Sequence, residues 1–235
     1  MPYSCTMAKG LTISTKERLL RAAERLFARH GIDAVSMRRI CAEAKQRNNN
    51  ALQYHFGSKE QLVEAILAAR MEVINEHRQA MLDEVLRDGK EDDLPRLVAA
   101  IVVPFARQLA DRDGGRDYLR FAAQLFSQSD AIELLGRQRP WTEAPHAIFE
   151  RIHDCLSDLP EHVVSTRLAL MASQLVHATA ARERELGEGK VRPQSIERFT
   201  AELVDYVVGG LSAPVTSPGA HDKRADGSHE GVHEQ

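Results

Sequence analysis

Apolar residues recur at steps of three and four along almost the whole of this 235-residue chain. That spacing gathers them on one face of a helix and excludes the period-two alternation of half-buried strands. Composition agrees: aromatic residues make up only 5%, while Ala, Leu, Arg and Glu, all good helix formers, are frequent. An all-α fold is predicted, in a chain long enough to bury a substantial core. No apolar run approaches the roughly 20 residues needed to span a bilayer. Met1 to Leu11 lacks the basic-then-apolar pattern of an export signal. The expectation is a soluble, cytoplasmic protein with no membrane partner.

Cys5, Cys41 and Cys155 are far apart and form no CxxC pair, which argues against a disulfide framework and against zinc. Three of the ten histidines (His221, His229, His233) fall in the C-terminal tail. His146 and His153 stand two helical turns apart, yet no neighbouring thiol or carboxylate completes a ligand set. No metal and no cofactor are expected.

The net charge of −3 conceals an asymmetry. Residues 1–59 hold 11 Lys and Arg against 4 Asp and Glu, a balance of +7, whereas the other 176 residues carry 20 against 30. A small basic head on a larger acidic body suits a head that meets a polyanion, although a solvated surface has the same balance.

Residues 1–13 are not periodic and read as a flexible lead-in. Leu19, Ala22, Ala23, Leu26 and Phe27 mark a first helix, capped by Ser14 or Thr15 and stopped at His30-Gly31. Ser36 can cap a short second helix through Met37, Ile40, Cys41 and Ala44. A polar turn leads to a third segment, Arg47 to Phe56. Ser58 with Gln61 forms a capping-box pattern that opens a long fourth helix, with the stripe Leu62, Ile66, Val73, His77, Met81 and Val85. Further stripes follow, each bounded by Gly or Pro: Leu94 to Leu109 with a break near Pro104, Tyr118 to Phe126, Ile148 to Leu159, Val164 to Leu175, and Ile196 to Val207. Beyond Ser212 the chain is polar and Gly-, Pro- and His-rich, hence disordered by composition. The predicted organisation is a head at 14–60, a helical body at 61–211 and a tail at 212–235.

Three short helices in a basic segment, the second and third joined by a tight turn, read as a helix-turn-helix. The third helix would enter the major groove, which is wide enough to admit it. Leu52 and Phe56, four apart, can bury together. Arg47, Asn48, Asn49, Asn50, Gln53, Tyr54 and His55 are left for DNA. Asn and Gln pair with adenine, Arg with guanine, and Tyr suits phosphate. The alternatives are that Arg47 is a solvated turn residue, that the asparagines stabilise the longer turn, and that Tyr54 or His55 packs rather than contacts DNA.

The stretch Thr15 to Leu62 resembles the DNA-binding domain of the TetR family of bacterial transcriptional regulators. The resemblance is carried by Leu19 to Phe27, His30-Gly31, Ser36 to Ala44, and Tyr54-His55-Phe56-Gly57-Ser58-Lys59-Glu60-Gln61-Leu62. Where the family has Ala-Gly-Val-Ser, this chain reads Ala44-Lys45-Gln46-Arg47-Asn48, one residue longer and without the glycine; Gln53 stands where Tyr is common. The resemblance implies that Ser36 caps the second helix near phosphate and that Arg38 lies on its DNA side. It also implies that Tyr54, His55 and Lys59 contact the DNA backbone.

The resemblance further implies a homodimer built by the last two long helices, which bring Val164, Leu168 and Leu175 together with Ile196, Phe199, Leu203 and Val207. The same stripes can be intramolecular core. It implies a small-molecule pocket among the middle helices, with Phe105, Phe121, Leu125, Phe126, Trp141, Phe149 and Met171 as candidate walls and Gln124 and His177 as polar anchors; these too can be core. Sparse buried charge suggests an apolar or amphipathic effector. An effector that tilts the fourth helix would respace the two heads and release a palindromic operator. A repressor is expected, with an activator left open. No GxGxxG, Gly-x4-Gly-Lys, HExxH or GxSxG pattern supports an enzyme.

Overall fold

A computed structural model describes residues 14–48, 50–111, 113–127 and 143–215. Its regular elements are helices: α1 Thr15–His30, α2 Met37–Glu43, α3 Ala51–Phe56, α4 Lys59–Arg87, α5 Leu94–Ala106, α6 Gly115–Phe126, α7 Glu143–Cys155, α8 Glu161–Gly187 and α9 Ile196–Ser212. The predicted all-α architecture holds, with an N-terminal helix-turn-helix and a larger helical body. The expected caps are present. Ser14 Oγ accepts from the Glu17 N–H at 3.1 Å, and Ser36 Oγ accepts from that of Arg39 at 3.3 Å. The Ser58–Gln61 box closes in both directions, at 3.2 and 3.1 Å. Pro104 lies inside α5, which ends two residues later at Ala106 and is followed by a 3-10 turn, Arg107–Leu109. Residues 1–13 and most of the predicted tail lie outside the described residues, and α9 continues through Ser212.

Two predicted features are corrected. The buried face of α4 is Leu62, Val63, Ile66, Leu67, Met71, Ile74, Arg78, Leu82 and Val85. Val73 and His77 are exposed and Met81 is half-buried. A long helix keeps its core face only at a period near 3.6, and the true face passes through Arg78, a cation that interrupts the apolar pattern. The third segment is also shorter than read: α3 has six residues, and Arg47, Asn48 and Asn50 lie in the turn before it. There the Asn48 carboxamide oxygen accepts from the Asn50 N–H at 2.9 Å, so the turn reading holds for Asn48. Lys45 has φ +55°, left-handed backbone where the family carries its glycine.

Packing makes one continuous core. In the head, Leu19, Ala23, Phe27, Ile40, Leu52 and Phe56 are buried with Leu62 and Ile66 of α4. In the body, α5 lies against α4, α7 and α9, and α6 against α8. Head and body are fused along α1 and α6. Phe27 stacks on Phe121 with centroids 6.2 Å apart, and Glu24, 4% exposed, receives two hydrogen bonds from Arg70 at 2.8 and 2.9 Å. Gly114 must be glycine here: its φ is +99°, and a Cβ would stand 2.1 Å from the Arg70 guanidinium.

This packing makes two stability predictions. Glu24→Ala leaves the half-buried Arg70 charge with only the looser Asp111 carboxylate at 3.5 Å, and should cost about 2–4 kcal/mol in urea unfolding. Adding Arg70→Met should recover part of that loss, because the poorly matched charge then disappears. Lys45→Gly relieves the left-handed backbone and should stabilise by about 0.5–1 kcal/mol, read as a melting point raised by roughly 1–4 °C.

Candidate nucleic-acid interface

The head consumes its own acids. Glu24 is held by Arg70, Glu17 pairs with Arg21 at 2.9 Å, and Glu43 meets Arg25 at 3.6 Å. Arg38, Lys45 and Arg47 are exposed and have no ion pair among the described residues. Cations are therefore left over on the side that carries α2, the turn and α3. Net positive surface of this kind is the electrostatic footprint of a phosphate backbone.

Local sequence decides which side chains stand outward. Leu52 and Phe56 anchor α3 to the head's core, and one turn of helix separates them, so Gln53 and Tyr54 must face away. Tyr54 is 86% exposed, the most exposed large hydrophobic side chain among the described residues. Its ring stands edge-on to half-buried His55, with centroids 5.2 Å apart. Asn50 is exposed in the turn beside Arg47. Ser36 and Arg38 lie exposed at the start of α2, and neighbouring Arg39 turns instead toward His30, at 2.8 Å. Asn49 lies outside the described residues. Ser36, Arg38, Arg47, Asn48, Asn50, Gln53 and Tyr54 are thus all exposed along α2, the turn and α3, and His55 is half-buried.

Lys59 has a different position from the free contact implied by the resemblance. Its ammonium donates to the carbonyl oxygens of Ile32 at 2.7 Å and Asp33 at 3.3 Å. Two of its three N–H donors therefore strap the start of α4 to the loop between α1 and α2, and one remains.

The other candidate residues divide by burial. Phe105, Phe121, Leu125 and Met171 are interior, and Phe149 and Phe126 are half-buried. Phe105 meets Tyr118 edge-on at 5.9 Å, and Tyr118 meets Phe121 at 6.2 Å. Gln124 and His177 are exposed and are not interior anchors. Gln124 instead lies at the junction of head and body, its carboxamide oxygen 3.6 Å from where a side chain on Gly31 would begin. Trp141 lies outside the described residues. Of the dimer candidates, Val164, Leu175, Leu203 and Val207 are buried within the protomer's own core, while Leu168, Ile196 and Phe199 are half-buried. The apolar side chains left outward are Leu170, 63% exposed, and Tyr206, 66% exposed. Periodicity could not separate these, because a stripe marks a buried face without saying what buries it. Leu170 sits one residue from the core position Met171, and nothing in the apolar pattern singles it out.

Among the described residues no group of three His, Cys, Asp or Glu side chains could hold a metal. His146 and His153 instead face Glu150 and Glu161, at 3.3 and 2.9 Å. The Glu161 carboxylate holds the His153 pKa above its usual range, and that of Glu161 falls in return. Among the described residues no helix is long and apolar enough to cross a membrane.

Comparison with known proteins gives this geometry its context. Residues 19–66 match the family model described as bacterial regulatory proteins, tetR family. Residues 99–210 match the tetracyclin repressor-like C-terminal domain. The HTH-type transcriptional repressor AcnR of Corynebacterium glutamicum is 39% identical over 83 residues, which cover 34% of this chain and 42% of that protein. AcnR of Corynebacterium efficiens is 37% identical over 84 residues, covering 34% and 43%. The match thus spans less than half the length of these relatives. Among solved structures, the TetR family regulator PfmR from Thermus thermophilus is 20% identical, with 86% of this chain and 99% of that chain covered and a TM-score of 0.49. With both family models matched in order along one chain, the protein belongs to the TetR family of bacterial regulatory proteins.

Proposed function

We propose that the protein is a cytoplasmic homodimeric repressor that binds a palindromic operator and leaves it when a small molecule enters the body. The observation that carries this reading is the head's surface: unpaired Arg38 and Arg47 flank an outward α3 bearing Gln53 and Tyr54, while Glu17, Glu24 and Glu43 are each paired with an arginine. In this reading α3 lies in the major groove, with Arg47, Asn49, Asn50 and Gln53 on base edges. Ser36, Arg38, Asn48, Tyr54, His55 and the remaining Lys59 donor serve the phosphates. The name repressor, carried by both curated relatives over the matched third of this chain, favours that sign.

One head buries too little surface to bind tightly, and two heads on a two-fold axis read half-sites about one helical turn apart. The dimer surface in this reading is the outward face of α8 and α9. On α8 it runs through Thr166, Leu170, Gln174 and His177, and on α9 through Glu202, Tyr206 and Gly209. Leu168, Ile196 and Phe199 border it. Gly209 and Gly210 meet nothing within 4 Å of a built Cβ, which leaves room for close backbone approach. Effector binding would act through α4 and through the α1–α6 seam, since both join head to body. A coupling of about 1–3 kcal/mol is typical of such switches.

Selection of bound sequences from a random DNA pool should recover a palindrome with half-sites about one turn apart; enrichment of nothing above non-specific binding would refute the reading. Arg38→Ala should weaken binding to all sequences alike. It should also flatten the slope of log K against log salt by about 1.8 for two heads, against about 0.9 for one. Leu170→Glu should convert a dimer to a monomer in size-exclusion chromatography with light scattering, and a wild-type monomer at micromolar concentration would exclude the dimer.

A further inference from the structure

The most deeply buried guanidinium among the described residues has no carboxylate partner. Arg78, in the middle of α4, is 5% exposed. Its Nη1 donates to the Asn75 carboxamide oxygen at 3.1 Å and touches Met71 Sδ at 3.6 Å. Its Nε has no hydrogen-bond partner. A guanidinium carries five N–H donors, so most of its capacity is unspent. Two other arginines of the core are matched to carboxylates: Arg70 to Glu24, and Arg120 to both carboxylate oxygens of Glu183. Both are more exposed than Arg78.

A buried charge without a counter-charge is expensive, and proteins tolerate it mainly where something binds there. Burial lowers the Arg78 pKa to about 10, which still leaves it charged at neutral pH. Its one charged or titratable neighbour of consequence is the Tyr118 phenol, itself fully buried. Tyr118 belongs to the aromatic cluster with Phe105 and Phe121. A fork of unused donors therefore lies beside an aromatic wall, on the helix that joins body to head. That combination recognises a molecule with one anionic group and an apolar remainder. A single cation neutralises a single negative charge, and the planar fork matches the two oxygens of a carboxylate. A phosphate monoester, with nearly two charges, would need a second cation, and none acts on Arg78.

We propose that Arg78 anchors the carboxylate of an amphipathic monocarboxylate effector, whose apolar part meets the Phe105–Tyr118–Phe121 cluster. This rests on the reading of the protein as an effector-controlled regulator and names the chemical class of its effector. The anion supplies the missing counter-charge on α4, so its affinity differs between arrangements of that helix, as a switch requires.

The test is calorimetric titration of the full chain with benzoate, octanoate and decanoate. Benzyl alcohol, octanol and decanol serve as uncharged partners, and inorganic phosphate as an anion without an apolar part. At least one carboxylate should bind at least tenfold tighter than its alcohol. Arg78→Gln should erase that preference, and Arg78→Lys, which keeps the charge but loses the fork, should retain part of it. Equal affinity for acid and alcohol, binding of phosphate in place of the carboxylates, unchanged carboxylate affinity in the variants, or binding of no carboxylate would each overturn the assignment. If Arg78→Gln does not fold, Arg78→Lys alone decides, with a wild-type affinity for the carboxylate as the contrary result. Operator binding by the wild-type protein without probe is measured in parallel. Operator binding that no carboxylate relieves overturns the anchor and spares the regulator, whereas absence of operator binding strikes the regulator reading instead.

Discussion

The seam between α1 and α6 governs how this molecule can work. Phe27 of the head stacks on Phe121 of the body. Beside them, Arg70 of α4 reaches Glu24 of α1, the Asp111 carboxylate at 3.5 Å and the Asp113 carbonyl at 3.4 Å. Arg21 adds a contact to Asp113 at 3.0 Å. Aromatic stacking supplies buried apolar area, and the ion pair supplies direction, because a fork and a carboxylate meet well in one orientation only. Without this seam, the head would hang from α4 alone. With it, α6, α1 and the α3 packed on α1 form one contiguous set of packed side chains.

The same seam shows why buried charge is informative in this chain. Glu24 is pushed up by burial and drawn back by Arg70, so its carboxylate is tolerable only while the guanidinium stays in place. Glu183 is held on α8 by Arg120 of α6 in the same manner. The first pair ties α1 to α4, and the second ties α6 to α8. Against that background the deeply buried Arg78, with no carboxylate partner, stands out, and it lies on α4, the helix that joins head to body.

Much of the head was legible from residue order. Ser14, Ser36 and Ser58 stand before apolar runs, and a side-chain oxygen there has one geometrically available task, so the helix starts could be read directly. Leu52 and Phe56, four apart in a short helix, forced Gln53 and Tyr54 outward. The turn was less legible. Asn48 folds back on the Asn50 N–H, and Lys45 adopts a backbone that its side chain disfavours; both depend on where α2 and α3 must meet. Lys59 is similar, since its two carbonyl partners lie 26 and 27 residues earlier in the chain.

In the body, the sequence by itself determined that the chain is helical and roughly where each helix turns, because periodicity, caps, Gly and Pro act within a few residues. It also determined that the head is basic and the body acidic. It could not say which neighbour buries a given stripe. Val164, Leu175, Leu203 and Val207 are sealed inside the protomer, whereas Leu170 and Tyr206 look outward; all six are apolar or aromatic residues at helical spacing. Nor could it place Arg78 in the core, since a lone arginine on a long helix ordinarily points to water. Only tertiary structure decides such cases. Burial depends on which helices converge, and the convergence of α4 and α6 on one cation is a property of the packed whole.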